Sequence, residues 1–212
     1  MGKKEEYQGK DIVIYFDRAR CIHSRHCVLG QPKVFRANAK GAWIKPDSGS
    51  AELIAGVIRS CPSGALTYKR LEGGSDEAPP EVNVIRTLEN GPLAVHADIR
   101  IDNEEPMFRA TLCRCGASEN KPFCDGSHKK INFTATGEPE TVESKPLEKR
   151  NGTLHISPLK GGPFMAKGSV EICSGTGRTV TRTQETALCR CGASKNKPFC
   201  DGSHVRVGFT AD

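Results

Sequence analysis

The chain has 212 residues, ten of them cysteine, with 36% hydrophobic content and a formal net charge of +6. Ten cysteines in this length is too sparse for a disulfide mini-protein, which exceeds roughly 8–10%, yet dense for a protein using cysteine only as a small hydrophobe. The longest apolar run, IVIYF at 12–16, is far short of the roughly 18 residues of a membrane-spanning helix.

In chain order, IVIYF reads as a strand, being β-branched and aromatic. A loop runs from Cys21 to Cys27, and Trp43-Ile44 reads as a short strand. Asp47 to Ser50 supplies capping side chains for a helix near 51–60, with Leu53, Ile54, Val57 and Ile58 on one face. Cys61-Pro62 ends that helix, and Ala65 to Lys69 reads as a return strand. LEGGSDEAPPE, from 71 to 81, is rich in Gly, Pro and acid and reads as a linker.

The charge is unevenly spread. Residues 1–75 hold 13 Lys/Arg and 7 Asp/Glu, whereas residues 76–212 hold 18 of each. The excess therefore belongs to the first third, as a solvated face or a docking surface for an acidic partner. No nucleic-acid-binding motif accompanies it, so nucleic acid is not an expected partner. The opening MGKKEE has no apolar stretch behind its charges, so no secretory leader is expected. A reducing compartment follows, in which clustered cysteines point to metal.

An internal repeat organises the remainder. Residues 113–128 read CRCGASENKPFCDGSH and residues 189–204 read CRCGASKNKPFCDGSH, differing only at Glu119 and Lys195. Gly91-Pro92 answers Gly162-Pro163 at an offset of 71, against 76 at the cysteines. The second copy thus carries five more residues, expected in the turn around Cys173-Ser-Gly-Thr-Gly. Each copy supplies Cys-x-Cys, then a cysteine, then a histidine: Cys113, Cys115, Cys124 and His128, and Cys189, Cys191, Cys200 and His204. Three thiolates and one imidazole form a complete donor set for zinc or an iron–sulfur cluster. Disulfides would strand both histidines and contradict the compartment. Cys124 and His128 converge if a helix starts there, with Asp125 placed to cap it.

The repeated motif resembles the CDGSH iron–sulfur (NEET) family at every defining position, twice. The resemblance implies a 2Fe–2S cluster in each copy, with Cys113 and Cys115 on one iron and Cys124 and His128 on the other. Cys189 and Cys191, then Cys200 and His204, repeat this. The tandem arrangement is similar to the two-motif members and implies two β-rich domains, at 82–140 and 146–212, paired as a pseudo-dimer within a monomer. Histidine ligation implies that acid promotes cluster loss, because imidazole must be neutral to ligate.

At the N-terminus, Cys21 and Cys27 take the outer positions of a C-x2-C-x2-C run, Ser24 stands in the middle one, and Cys61-Pro62 supplies the distant Cys-Pro. CIHSRHCVLGQPKVF through WIKPD to CPSGALTYKR resembles the divergent single-cluster ferredoxin domain, found joined to CDGSH domains in bacterial proteins. It implies a small ferredoxin-like α+β domain over 1–72, a linker over 73–81, and a 4Fe–4S cluster on Cys21, Cys27 and Cys61 with Ser24 or His23 as fourth ligand. A 3Fe–4S cluster on the three cysteines is the alternative.

The expected fold class is therefore α+β, and the expected protein a cytoplasmic, bacterial, multi-cluster one. One-electron transfer to a redox protein partner is the leading function. Cluster storage, transfer to an apo-protein acceptor, or redox and pH sensing is its rival. No flavin, nicotinamide or nucleophile motif is present, so no catalytic residue is assigned. Cys173 aligns with Asp102 and reads as a non-ligand, partly exposed thiol. His26, His96 and His155 read as surface or strand residues, and Ser174-Gly-Thr-Gly-Arg as a hairpin turn.

Overall fold

A computed structural model describes residues 4–71 and 73–211. They fall into two compact units, Met1–Ala78 and Pro79–Asp212. The chain is mixed α and β, and its motif-bearing part is rich in strand.

In the first unit, β2 (Ile12–Phe16) is the middle strand of an antiparallel sheet, between β1 (Glu5–Gln8) and β3 (Leu66–Arg70). Its central position explains why it is apolar throughout rather than alternating. A short helix, α1 (His26–Gly30), follows the Cys21 loop, and α2 (Ala51–Arg59) crosses the unit. Ser50 caps α2, its hydroxyl accepting from the Leu53 amide. The buried stripe of α2 is Ala51, Ile54, Ala55 and Ile58. Leu53, expected on that face, is 58% exposed, because the stripe centres one residue further round at 100° per residue. These side chains meet Ile12, Ile14, Phe16, Val34, Phe35 and Leu66 in one core. Trp43-Ile44 does not form a strand. Ile44 makes a single bridge to Phe35, and Trp43 lies edge-on to Phe16 at 4.8 Å.

The second unit is one six-stranded sheet built from both repeats. The first supplies β4 (Val84–Thr87), β5 (Leu93–Ile101) and β6 (Met107–Leu112). The second supplies β7 (Thr153–Pro158), β8 (Phe164–Cys173) and β9 (Thr179–Leu188). β4 pairs antiparallel with its own β5 and parallel with β8 of the other repeat. β7 does the converse, antiparallel with β8 and parallel with β5. The exchange is reciprocal in register: Val84 faces His96 and Glu171, and His155 faces Lys167 and Arg100. Alternating residues of β5 bury Leu93, Val95, Ala97, Ile99 and Ile101 against Ile156, Phe164, Ala166, Ile172 and Leu188. Neither repeat owns this core.

The five extra residues lengthen strands, not the turn. Both hairpins turn over five residues, 102–106 and 174–178, whereas β9 has ten residues to the six of β6. Residues 137–150 run beside the sheet. The Val142 amide donates to Val180, the Arg182 amide to Ser144, and the Asn83 amide to the Arg150 carbonyl. Four successive residues of β8, Val170 to Cys173, are consequently buried. Cys173 is 5% exposed rather than partly exposed, since strand alternation alone did not reveal that both faces are covered. Among the described residues no helix is long and apolar enough to cross a membrane.

Candidate metal centres

Each motif is a loop that leaves the last strand of its repeat and is tied back to it. The Cys113 amide donates to the Pro122 carbonyl and the Cys124 amide to Thr111, both at 2.9 Å. In the second repeat Cys189 donates to Pro198 and Cys200 to Ala187. Ser118 bridges the loop, its hydroxyl donating to the Phe123 carbonyl at 2.6 Å and accepting from the Asn120 amide. Asp125 accepts from the amides of Glu119 and Ser127. The helices begin later than expected, at Ser127 and Ser203: α3 (Ser127–Lys130) and α4 (Ser203–Arg206). Cys124 therefore lies before α3, and a left-handed Gly126 (φ +88°) turns the chain so that Cys124 meets His128. The Gly126 amide also donates to the Cys124 sulfur at 3.4 Å.

The donors stand in pairs. Cys113 and Cys115 Sγ are 3.7 Å apart, and Cys189 and Cys191 Sγ 3.9 Å. Cys124 Sγ lies 3.4 Å from His128 Nδ1, and Cys200 Sγ 3.4 Å from His204 Nδ1. Bonds of about 2.3 Å from sulfur and about 2.0–2.1 Å from nitrogen to one tetrahedral ion separate two sulfurs by about 3.8 Å, and a sulfur and a nitrogen by about 3.6 Å. Each pair thus has the bite of a one-ion chelate. Among the described residues, no three His, Cys, Asp or Glu side chains converge on one point. The chemistry of the donors also calls for a cation. Burial pushes the Cys124 thiol up to about 11 and raises that of Cys189. Cys113 and Cys115 share a proton: the hydrogen bond from Cys115 holds Cys113 down at about 6 while Cys115 is pushed up. Such thiols ionise together only with a bound metal to compensate. Burial also lowers His128, favouring the neutral imidazole a metal requires.

The two loops touch. A Cβ added to Gly116 would lie 2.6 Å from the Cys191 carbonyl oxygen, and one on Gly192 would lie 2.5 Å from that of Cys115. Beside this seam are two residues that the sequence reading passed over, Arg114 and Arg190, each 1% exposed. Arg114 Nε donates to Gly91 O, and its Nη atoms to Leu88, Ala135 and Thr136 carbonyls. Burial lowers its pKa to about 10. The only signal was an arginine held between the paired cysteines of both copies.

In the first unit Cys61 is buried at the end of α2, and Cys21 and Cys27 border the same core. The three interact electrostatically, and burial raises the Cys21 and Cys27 thiols. The connecting loop holds two non-glycine residues in the left-handed region, His23 (φ 55°) and Arg25 (φ 67°), an arrangement that costs of order 1–3 kcal/mol each and clusters at functional sites. His23 Nδ1 lies 3.9 Å from Cys21 Sγ, and Ser24 is half-buried. His26 Nδ1 is 2.8 Å from the Ser60 carbonyl, while His96 and His155 lie on β5 and β7.

Paired, partly buried thiol and imidazole donors in short loops are the makings of metal-binding centres. Comparison with known proteins agrees. Residues 7–71 match the family described as divergent 4Fe-4S mono-cluster, and residues 90–129 and 161–205 match that described as iron-binding zinc finger CDGSH type. "Uncharacterized protein YjdI" of Escherichia coli K12 is 44% identical over 63 residues, 30% of this chain and 82% of that one. "CDGSH iron-sulfur domain-containing protein 1" of Mus musculus is 36% identical over 69 residues, 32% of this chain and 60% of the mouse protein. The chain thus joins a segment of the divergent 4Fe-4S mono-cluster type at its N-terminal end to two segments of the CDGSH type.

Proposed function

We propose that the chain is a cytoplasmic one-electron carrier holding two 2Fe–2S clusters and one N-terminal cluster. The paired donors carry this reading. Four donors with two separate bites suit two irons per loop: Cys113 and Cys115 with Cys124 and His128, and Cys189 and Cys191 with Cys200 and His204. When bound, such a cluster supplies one-electron chemistry, and a neutral imidazole in place of a thiolate raises its potential above that of an all-cysteine one. The loops hold the donors, and burial at the first site favours the neutral form of His128. Strand exchange between the repeats supports an intramolecular pseudo-dimer, so that the carrier works as a monomer. The three-stranded sheet with α2 against it supports a ferredoxin-like first domain. There Cys21, Cys27 and Cys61 hold a 4Fe–4S cluster with His23 or Ser24 as fourth ligand, or a 3Fe–4S cluster without one.

The partner is a redox protein with an acidic face. Residues 17–45, around Cys21 and Cys27, carry seven Lys/Arg against one Asp, equal to the whole excess charge of the chain. Arg18, Arg25, Lys33, Lys40 and Lys45 are exposed there, and so is Leu29 at 69%. Steering by such a face makes electron exchange fall steeply with ionic strength.

Anaerobic iron and sulfide counting with electron paramagnetic resonance tests the cofactors. Eight irons per chain are expected, seven indicate 3Fe–4S, and a colourless protein containing zinc refutes the reading. Cluster transfer is the second reading, favoured by the half-buried Cys191 and Cys200. Mixing holo-protein with an apo-ferredoxin separates the two. Rapid reversible reduction with iron retained supports electron carriage, and movement of iron and sulfide to the acceptor supports transfer.

A further inference from the structure

The two motif loops are nearly identical, but the surfaces around them are not. Aligned by the repeat, Glu89, Glu119 and Lys129 of the first become Lys160, Lys195 and Val205 of the second. A net charge of −1 at these three positions is thereby exchanged for two positive charges and an apolar side chain. All six residues are exposed. Val205, on α4, is 77% exposed, and Val207, just past it, 51%. Leu159 adds a third exposed apolar side chain, where its counterpart Leu88 is half-buried.

Hydrogen bonds gather these residues around one centre. The Gly161 amide donates to the Ala211 carbonyl. Arg190 donates to Leu159 O, and its guanidinium carbon lies 5.8 Å from the Phe209 ring. The turn at 159–161 is thus tied to the chain that follows α4. Asp201 accepts from the amides of Lys195 and Ser203, which holds Lys195 beside the start of α4. The same helix carries His204. Cys191 and Cys200 of this centre are half-buried, where Cys115 and Cys124 are buried. A single exposed apolar side chain needs no explanation. Three around one accessible centre, flanked by basic residues, have the make-up of an interface, apolar within and charged at its rim.

We propose that Leu159, Lys160, Lys195, Val205, Arg206 and Val207 form a docking face for an acidic protein partner, so that the second CDGSH centre, and not the first, is presented to it. Charge selects the occupant. A carboxylate-bearing face is attracted by the two lysines of the second repeat and repelled by the two glutamates that replace them in the first. This face belongs to the second unit, so it is additional to the basic residues of 17–45 and gives the carrier a second place of contact.

The test uses the full-length holo-protein with an acidic plant-type 2Fe–2S ferredoxin as probe. A carbodiimide joins a lysine amine to a carboxylate with loss of water, and mass spectrometry locates each link. Links at Lys160 and Lys195 should exceed those at Lys129 and Lys130 by about fivefold or more and fall as salt is raised. Val205→Asp should cut the Lys195 links by about fivefold or more, through lost apolar contact and added repulsion. Lys129→Asp removes more positive charge yet should leave them within about twofold, since it lies outside the face. Links at the lysines of 17–45 should not change in either variant. Should Val205→Asp lose iron, Val207→Asp takes its place under the same readings. Links spread evenly over both repeats, or an equal loss in Val205→Asp and Lys129→Asp, overturn the proposal, because net charge alone would then suffice. Absence of links at Lys195 overturns it as well; sedimentation with phosphatidylserine vesicles that Val205→Asp abolishes would then make the face a membrane contact. Iron and sulfide counted on the same sample keep the two readings apart: a protein without clusters that still links at Lys195 refutes the cofactors and supports the docking face.

Discussion

The contact between the motif loops makes Gly116 a severe test of the fold. Alanine there faces two costs. The residue sits at φ +81°, a left-handed conformation that costs an L-residue roughly 1–2 kcal/mol. Its Cβ would also stand 2.6 Å from Cys191 O, 3.0 Å from its carbonyl carbon and 3.3 Å from its Cα. All three are backbone atoms, so relief requires the loops to separate, an overpacking penalty of about 1–3 kcal/mol. Gly126 is the internal control: its φ is +88°, and nothing lies within 4 Å of an added Cβ. Gly126→Ala therefore loses only the conformational part. Gly116→Ala should be less stable than Gly126→Ala by about 1–3 kcal/mol, and its melting temperature lower by roughly 3–5 °C per kcal/mol for a unit of this size. Thermal and denaturant unfolding of the two holo-variants, followed by circular dichroism, measures the difference. Gly192→Ala, with Cys115 O at 2.5 Å, should match Gly116→Ala. Equal stability of Gly116→Ala and Gly126→Ala would show that the loops do not meet.

Acid should release the clusters, and His128→Cys with His204→Cys should resist. The sign follows from the neutral form being the ligand: stability from His128, whose pKa burial lowers, is full above its ordinary value of about 6.5 and is lost as pH falls below it. Bleaching of the double variant at the wild-type pH would contradict this. In chelator challenge the second cluster should leave before the first, since Cys191 and Cys200 are half-buried where Cys115 and Cys124 are buried; release in one phase would refute it. Ser50→Ala should cost the first unit roughly 0.5–2 kcal/mol through loss of the α2 cap, read by denaturant unfolding. Cys173→Ser should leave the iron count unchanged while destabilising the second unit by about 1 kcal/mol, because a hydroxyl costs more to bury than a thiol even with Thr179 beside it to hydrogen-bond; loss of iron would contradict its reading as a non-ligand.

Much of this protein is legible in one dimension because its chemistry is local. Cysteine and histidine within sixteen residues can converge only in a tight loop, and a motif written twice advertises two sites. IVIYF became β2 over the same five residues, since an apolar β-branched run between polar flanks has few other uses. The helix at 51–59 was legible in position but less so in orientation. Its buried stripe depends on where the sheet lies, and Leu53 consequently faces solvent.

What the sequence determined by itself was the set of candidate donors, the repeat and the charge concentrated in its first third. Only the tertiary structure decided that the repeats share one sheet, with β4 and β7 each paired across to the other repeat. It also decided that Cys173 is buried, that the extra residues lengthen the strands of the second repeat, β9 above all, and that Arg114 is buried beneath carbonyls of Leu88, Gly91, Ala135 and Thr136. The physical reason is range. Ligand spacing and strand pattern are properties of neighbours along the chain. Strand exchange, burial of both faces of a strand, and the field of a buried charge depend on segments some 70 residues apart that meet only on folding, such as Ile85 and Leu154 in the core.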